Sequence, residues 1–278
     1  MPKLGIIAGG GSLPRQIIDA CRRTERAFYV LAIQGSADPD IVDEGPAEWI
    51  RMSALSRALE AARREGVDEL VLVGRIPRPS ITELMRDLRS AKFMAKVGTR
   101  MLGDDNILSA LVKELEQAEG FRVVAPESLL DDILAEPGTY GSIEPGAEDR
   151  ADIERGIAVG HEVGRLDIGQ AVIVQHGTVL GVEGVEGTDR LIARCAEFVR
   201  SDVPGGVLVK VAKPGQERRA DLPTVGRDTV LNAAAAGLRG IAVEAGGALI
   251  VDRAGMISAA DSAKLFVVGV AADDRPAE

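Results

Sequence analysis

Two stretches of the chain gather acids, lysines and hydroxyls next to apolar runs. VEGVEGTD (182–189) carries Glu183, Glu186, Thr188 and Asp189. LVKVAKPGQERRADLPTVGRDT (208–229) carries Lys210, Lys213, Gln216, Arg218, Arg219, Asp221 and Thr224. Acids at strand ends can hold a divalent cation or position water, and lysines can neutralise phosphate oxygens. The two stretches therefore suit a metal-assisted phosphoryl reaction. The competing reading is a solvated loop with surface ion pairs, and it suffices for single charges such as Arg227 and Glu217. It is weaker for Asp221, which precedes Leu222-Pro223-Thr224, where proline stiffens the turn and gives the carboxylate a fixed direction.

A third stretch, LGIIAGGGSLP (4–14), delivers an apolar run into Gly9, Gly10, Gly11 and Ser12, then Leu13 and Pro14. Glycines allow close backbone approach, and a helix N-terminus offers unpaired N–H groups to an anion. A dinucleotide fingerprint is not met. A G-x-G-x-x-G frame from Gly9 needs glycine at position 14, which is Pro14, and the second strand ends in Ile33-Gln34 rather than an acid. No G-x-x-x-x-G-K-[ST] is present either. The loop is expected to meet a phosphate through Gly10, Gly11, Ser12 and Leu13, the alternative being a tight turn with no ligand. Asp104 and Asp105 follow Gly103 and are either helix caps or one pole of a cleft between domains. His161 and His176 are not expected to act as bases.

These residues need elements to carry them. The first half alternates strand and helix: strands at 4–8, 27–33, 68–74 and 121–126, helices at 13–24, 53–66 and 104–120. That alternation predicts a Rossmann-like N-terminal domain with a parallel sheet over residues 1–135. EPGTYGSIEPGAEDR (136–150) is rich in proline, glycine and charge and reads as a linker. Residues 151–278 read as a distinct α/β C-terminal catalytic domain. It has helices at 151–164, 187–200 and 229–240, a hairpin around His176-Gly177, and a mixed sheet. Thr188 or Asp189 is the expected cap of the helix at 187–200.

Composition narrows the function classes. The chain has 278 residues, 46% of them hydrophobic, and a net charge of -10. So acidic a chain, with 3% aromatic residues, does not fit nucleic-acid binding. No apolar run is long enough to span a bilayer and no secretory signal is evident, so a cytoplasmic protein is expected. Cys21 and Cys195 are unpaired in spacing and read as buried thiols.

IAGGGSLP, MLGDDNILSALVKELEQAEGF, VEGVEGTDRLI, GVLVKVAKPGQERRADLPTVG and AAGLRGIAVEAG occur in this order over nearly the whole chain. Together they resemble the UDP-2,3-diacylglucosamine pyrophosphatase family of the lipid A pathway that is unrelated to the calcineurin-like enzyme. EGTD and K-P-x-Q-x-x-R-x-D-L-P-T are its specific motifs. The resemblance implies hydrolysis of UDP-2,3-diacylglucosamine to 2,3-diacylglucosamine 1-phosphate and UMP by water attack on the α-phosphorus. It implies Mg2+ or another divalent cation and no NAD, a homodimer, and peripheral contact with the inner membrane. The family's essential aspartate falls on Asp221, which is expected as the catalytic residue that holds the metal or orients the water. Thr188, Asp189, Lys213, Gln216 and Thr224 also match motif positions, with Asp189 and Lys213 expected in catalysis and Thr188, Gln216 and Thr224 in substrate binding. Two readings from other classes stand beside it: a nucleotide-binding oxidoreductase, and a non-catalytic protein that holds a lipid precursor.

Overall fold

A computed structural model describes residues 1–76 and 104–271, with the backbone alone for residues 104–107. The chain forms two compact units. Unit 1 takes Met1–Asp131 together with Glu217–Asp221, and unit 2 takes Asp132–Gln216 and Leu222–Glu278.

Unit 1 is built on β1 (Leu4–Ala8), β2 (Phe28–Ile33), β3 (Ala47–Ile50), β4 (Glu69–Val73) and β5 (Arg122–Val123). They form one sheet in the order β3-β2-β1-β4-β5, and every pairing is parallel. The near-continuous burial of β1, β2 and β4 is what a parallel sheet covered on both faces requires. Helix α1 (Leu13–Arg23) buries Ile17, Ile18 and Cys21. Helix α2 (Leu55–Arg64) buries Leu59 and Ala62, and α3 (Asp104–Gln117) contributes Val112 and Leu115 to the same core as Leu70 and Leu72. The order in which strands are added reverses between β1 and β4, and at such a switch the loops beyond the strand ends are left open to a ligand. The loops there are Gly9–Ser12 and Gly74–Ile76. Strand β3 has no counterpart in the expected elements: it is four residues long and carries Glu48, so its period is hard to read.

Unit 2 holds a six-stranded mixed sheet, ordered β6-β13-β11-β9-β7-β8. Its strands are β6 (Gly138–Tyr140), β7 (Ala171–Gln175), β8 (Thr178–Val182), β9 (Val207–Lys210), β11 (Gly240–Glu244) and β13 (Phe266–Val270). A separate parallel pair joins β10 (Thr224–Val225) to β12 (Leu249–Ile250). The helices are α4 (Ala147–Arg165), α5 (Thr188–Cys195), α6 (Arg227–Ala235) and α7 (Arg253–Ala263). The stretch 136–150 holds β6 and the first turn of α4. Helix α4 starts four residues earlier than its apolar pattern suggests, because Gly146 N–H donates to Asp149 Oδ2 at 2.8 Å and closes the first turn. Helix α5 ends at Cys195 and continues only as a short 3-10 turn to Phe198. Both cysteines are buried free thiols, and burial pushes each thiol pKa up. No helix among the described residues is long and apolar enough to cross a membrane.

The β7–β8 hairpin turns on His176 and Gly177, with φ values of 47° and 73°. Two successive left-handed residues make the turn that matches the twist of the flanking strands. It is held from below by Asp152 of α4, a buried carboxylate that accepts His176 N–H at 2.9 Å and Gly177 N–H at 2.6 Å. Replacing it orphans both donors. Asp152→Ala is expected to cost about 2 kcal/mol or more, read as a lower urea midpoint of the full chain, while Asp152→Asn loses less because one acceptor remains.

Candidate active site

The glycine loop is built against its own unit. Gly9 N–H donates to Val73 O at 2.8 Å, Gly10 N–H to Arg75 O at 2.9 Å, and Arg75 N–H returns to Gly10 O at 2.8 Å. A Cβ at Gly9 would lie 2.5 Å from Arg75 O, and one at Gly10 would lie 2.6 Å from Ser36 O. These two glycines are needed for packing, and their N–H groups are occupied. Gly11 differs: its φ is 96° and nothing lies within 4 Å of its Cβ position. Among the described residues, the N–H groups of Gly11, Ser12 and Leu13 meet no acceptor. Ser12 caps α1 without a side-chain bond to its backbone. The loop's engaged N–H groups are thus those of Gly9 and Gly10, and Gly10 contributes shape. Asp104 and Asp105 open α3, and their side chains lie outside the described residues.

Asp221 also belongs to unit 1. It ends a turn in which Ala220 N–H and Asp221 N–H both donate to Glu217 O at 3.0 Å. Ala220 packs against the apolar core that holds Leu70, Leu72 and Leu115. The Asp221 side chain is half-buried.

The unit 2 residues form a connected polar network. Lys213 is buried, and its Nζ donates to Asp167 Oδ1 at 2.8 Å. Lys213 N–H donates to Gln216 Oε1 at 2.9 Å, and Gln216 Nε2 reaches Gln170 Oε1 at 3.4 Å. Gln170 N–H donates to Glu183 Oε2 at 3.1 Å, and Glu183 Oε1 accepts from Thr188 Oγ1 at 2.9 Å. Thr188, Gln216 and Lys213 thus share one chain of contacts. Buried charge is tolerated there because each group has a partner of opposite sign or a donor. Thr188 does not cap α5: its hydroxyl is spent on Glu183, and Gly187 takes the cap position. Asp189 sits in the first helical turn and accepts from Asn232 Nδ2 at 3.0 Å. Thr224 is exposed. Its hydroxyl donates to Leu222 O at 3.2 Å, and its carbonyl accepts from Lys210 Nζ at 2.9 Å. Asp167 and Gln170 were not among the expected site residues. Both lie in the short loop 166–170, where no sequence pattern singles them out; Asp167 holds a left-handed φ of 52°.

Among the described residues, no group of three or more acids, histidines or cysteines gathers to hold a metal ion. A magnesium ion does not demand one: it takes one or two carboxylates and completes its shell with water and substrate phosphate oxygens. Glu217 and Glu183 are already engaged by Arg219, Thr188 and Gln170.

Residues 3–133 match the model of the LpxI N-terminal domain, and residues 136–268 match that of the LpxI C-terminal domain. The chain belongs to the LpxI family. It is 40% identical over 282 residues to the UDP-2,3-diacylglucosamine pyrophosphatase LpxI of Caulobacter vibrioides, covering 99% of this chain and 100% of the relative. The stretch K-P-x-Q-x-x-R-x-D-L-P-T runs from Lys213 to Thr224. It therefore begins in unit 2, passes through unit 1 at Glu217–Asp221 and returns to unit 2 at Leu222.

Proposed function

We propose that this LpxI chain hydrolyses UDP-2,3-diacylglucosamine to 2,3-diacylglucosamine 1-phosphate and UMP in lipid A biosynthesis. The observation that carries this reading is its kinship with the Caulobacter enzyme along the full length of both chains. The reaction is hydrolytic, and no nicotinamide is involved. Water attacks the α-phosphorus, so its oxygen enters UMP and the sugar phosphate departs with the bridging oxygen. Asp221 orients that water and would hold a Mg2+ ion, which would supply charge neutralisation at the phosphate oxygens. Asp189 and Lys213 take part in catalysis, Lys213 offering positive charge to the phosphoryl oxygens. Thr188, Gln216 and Thr224 bind substrate, as do Asp104 and Asp105. The free N–H groups of Gly11, Ser12 and Leu13 bind a phosphate at the start of α1. The protein works as a cytoplasmic homodimer with peripheral membrane contact, since its substrate is a lipid.

The test is turnover of UDP-2,3-diacylglucosamine in 18O-enriched water, followed by mass spectrometry. Label is expected in UMP, and EDTA is expected to stop the reaction, with Mg2+ restoring it. Label in the lipid phosphate would reverse the direction of attack. Full turnover in EDTA would remove the cation from the reaction. Binding of the substrate without turnover would leave a carrier in place of an enzyme.

A further inference from the structure

The turn that presents Asp221 is fastened by Arg219, a side chain given no part in the reaction above. Arg219 Nε donates to Glu217 Oε1 at 2.8 Å and Nη2 to Glu217 Oε2 at 2.9 Å, a two-pronged pairing. Its third nitrogen, Nη1, donates to Glu116 Oε1 of α3 at 2.7 Å. Glu116 Oε1 also accepts Val123 N–H of β5 at 3.3 Å, so the anchor is tied into helix and sheet together. Arg219 N–H adds a contact to Glu217 Oε1 at 3.3 Å, and Glu217 O takes the N–H groups of Ala220 and Asp221. Glu217 is therefore held at its carboxylate by Arg219, and it holds in turn the two amides nearest the reacting carboxylate. The Arg219 guanidinium keeps the Glu217 carboxyl below the usual carboxylate range, so the pairing stays ionised over the neutral pH range.

We infer that Arg219 is a positioning residue for the hydrolysis, acting through the Glu217 turn and its Glu116 anchor to fix the direction of Asp221. The inference rests on the reading of Asp221 given above. Only a planar fork can satisfy Glu217 at both oxygens while reaching Glu116 with a third nitrogen. A lysine, a single point of charge, cannot do both.

The test uses the full-length protein and Arg219→Lys, with melting temperature and far-UV circular dichroism as folding controls. The variant is expected to lose about 10- to 100-fold in kcat with KM nearly unchanged, because misplacement of a reacting group falls on the chemical step. In an Asp221→Asn background the same change is expected to cost almost nothing further, since its effect passes through Asp221. Wild-type kcat in Arg219→Lys overturns the inference, as does a loss that persists undiminished without the Asp221 carboxylate. A second readout needs no turnover. Amide hydrogen exchange at Ala220 and Asp221 is expected to be about 10-fold faster in Arg219→Gln, because both amides lose a fixed acceptor. Unchanged exchange there overturns the inference. Failure of the wild-type enzyme to turn over would instead count against the proposed function, and the exchange result would still decide the role of Arg219.

Discussion

Asp221→Asn is expected to fold like the parent protein and to lose about 10²- to 10⁴-fold in turnover. The side chain is half-buried at the end of a turn in which the Ala220 and Asp221 N–H groups donate to Glu217 O. Asparagine keeps the size and one acceptor but removes the charge, so the turn survives while the group proposed to orient water or cation does not. The check is kcat with UDP-2,3-diacylglucosamine and Mg2+, run beside a substrate-binding measurement. Retained binding with lost turnover places the deficit in the chemical step. A wild-type rate would take Asp221 out of the reaction altogether, and it would leave the family kinship and the fold untouched.

The largest expected loss of stability lies elsewhere, at Phe266 of β13. Its side chain is fully buried among Ile153, Val207, Val209, Val211, Ala242 and Val268. It also occupies space opened for it on the neighbouring strand: a Cβ at Gly240 would sit 2.1 Å from the ring. Phe266→Ala removes those contacts and leaves a cavity that two paired strands cannot close, at a cost of about 3–5 kcal/mol. Gly240→Ala should cost about 1–3 kcal/mol in the parent because the ring has nowhere to move. In a Phe266→Leu background the same Gly240→Ala should cost less, since the obstructing ring is gone. Urea midpoints followed by circular dichroism measure the parent and the four variants. Strictly additive losses would show that the ring and the glycine are not matched to each other.

Much of this was legible before any coordinates, and the physical reason is periodicity. Strands β1, β2 and β4 are buried on both faces and read as continuous apolar runs. Helix α1 reads from Ile17, Ile18 and Cys21 on one face. The hairpin at His176-Gly177 reads because glycine tolerates the positive φ that such a turn needs. Strand β6, with Gly138, Thr139 and Tyr140, could not be read this way. Three residues carry no period, and Pro137 and Gly138 speak for a loop. Of the candidate site, Lys213, Gln216 and Thr188 are visible as polar residues beside strands. Asp167, Gln170 and the Glu116–Arg219 pairing are not. They are brought to their partners by tertiary contacts across 46 and 103 positions of sequence, and no local pattern encodes such a meeting.

The return of residues 217–221 to the first unit bears on how such a chain can be inherited. The two family models meet between residues 133 and 136, which reads as a seam where modules could be exchanged. The fold does not honour that seam. A gene that joined the first 131 residues to a foreign second half would leave Glu116 without Arg219, and the core beside Leu115 without Ala220. The two halves are thus obliged to descend together. Among relatives, a change at the position of Glu116 should be accompanied by a change at that of Arg219, although one is written in each half of the gene.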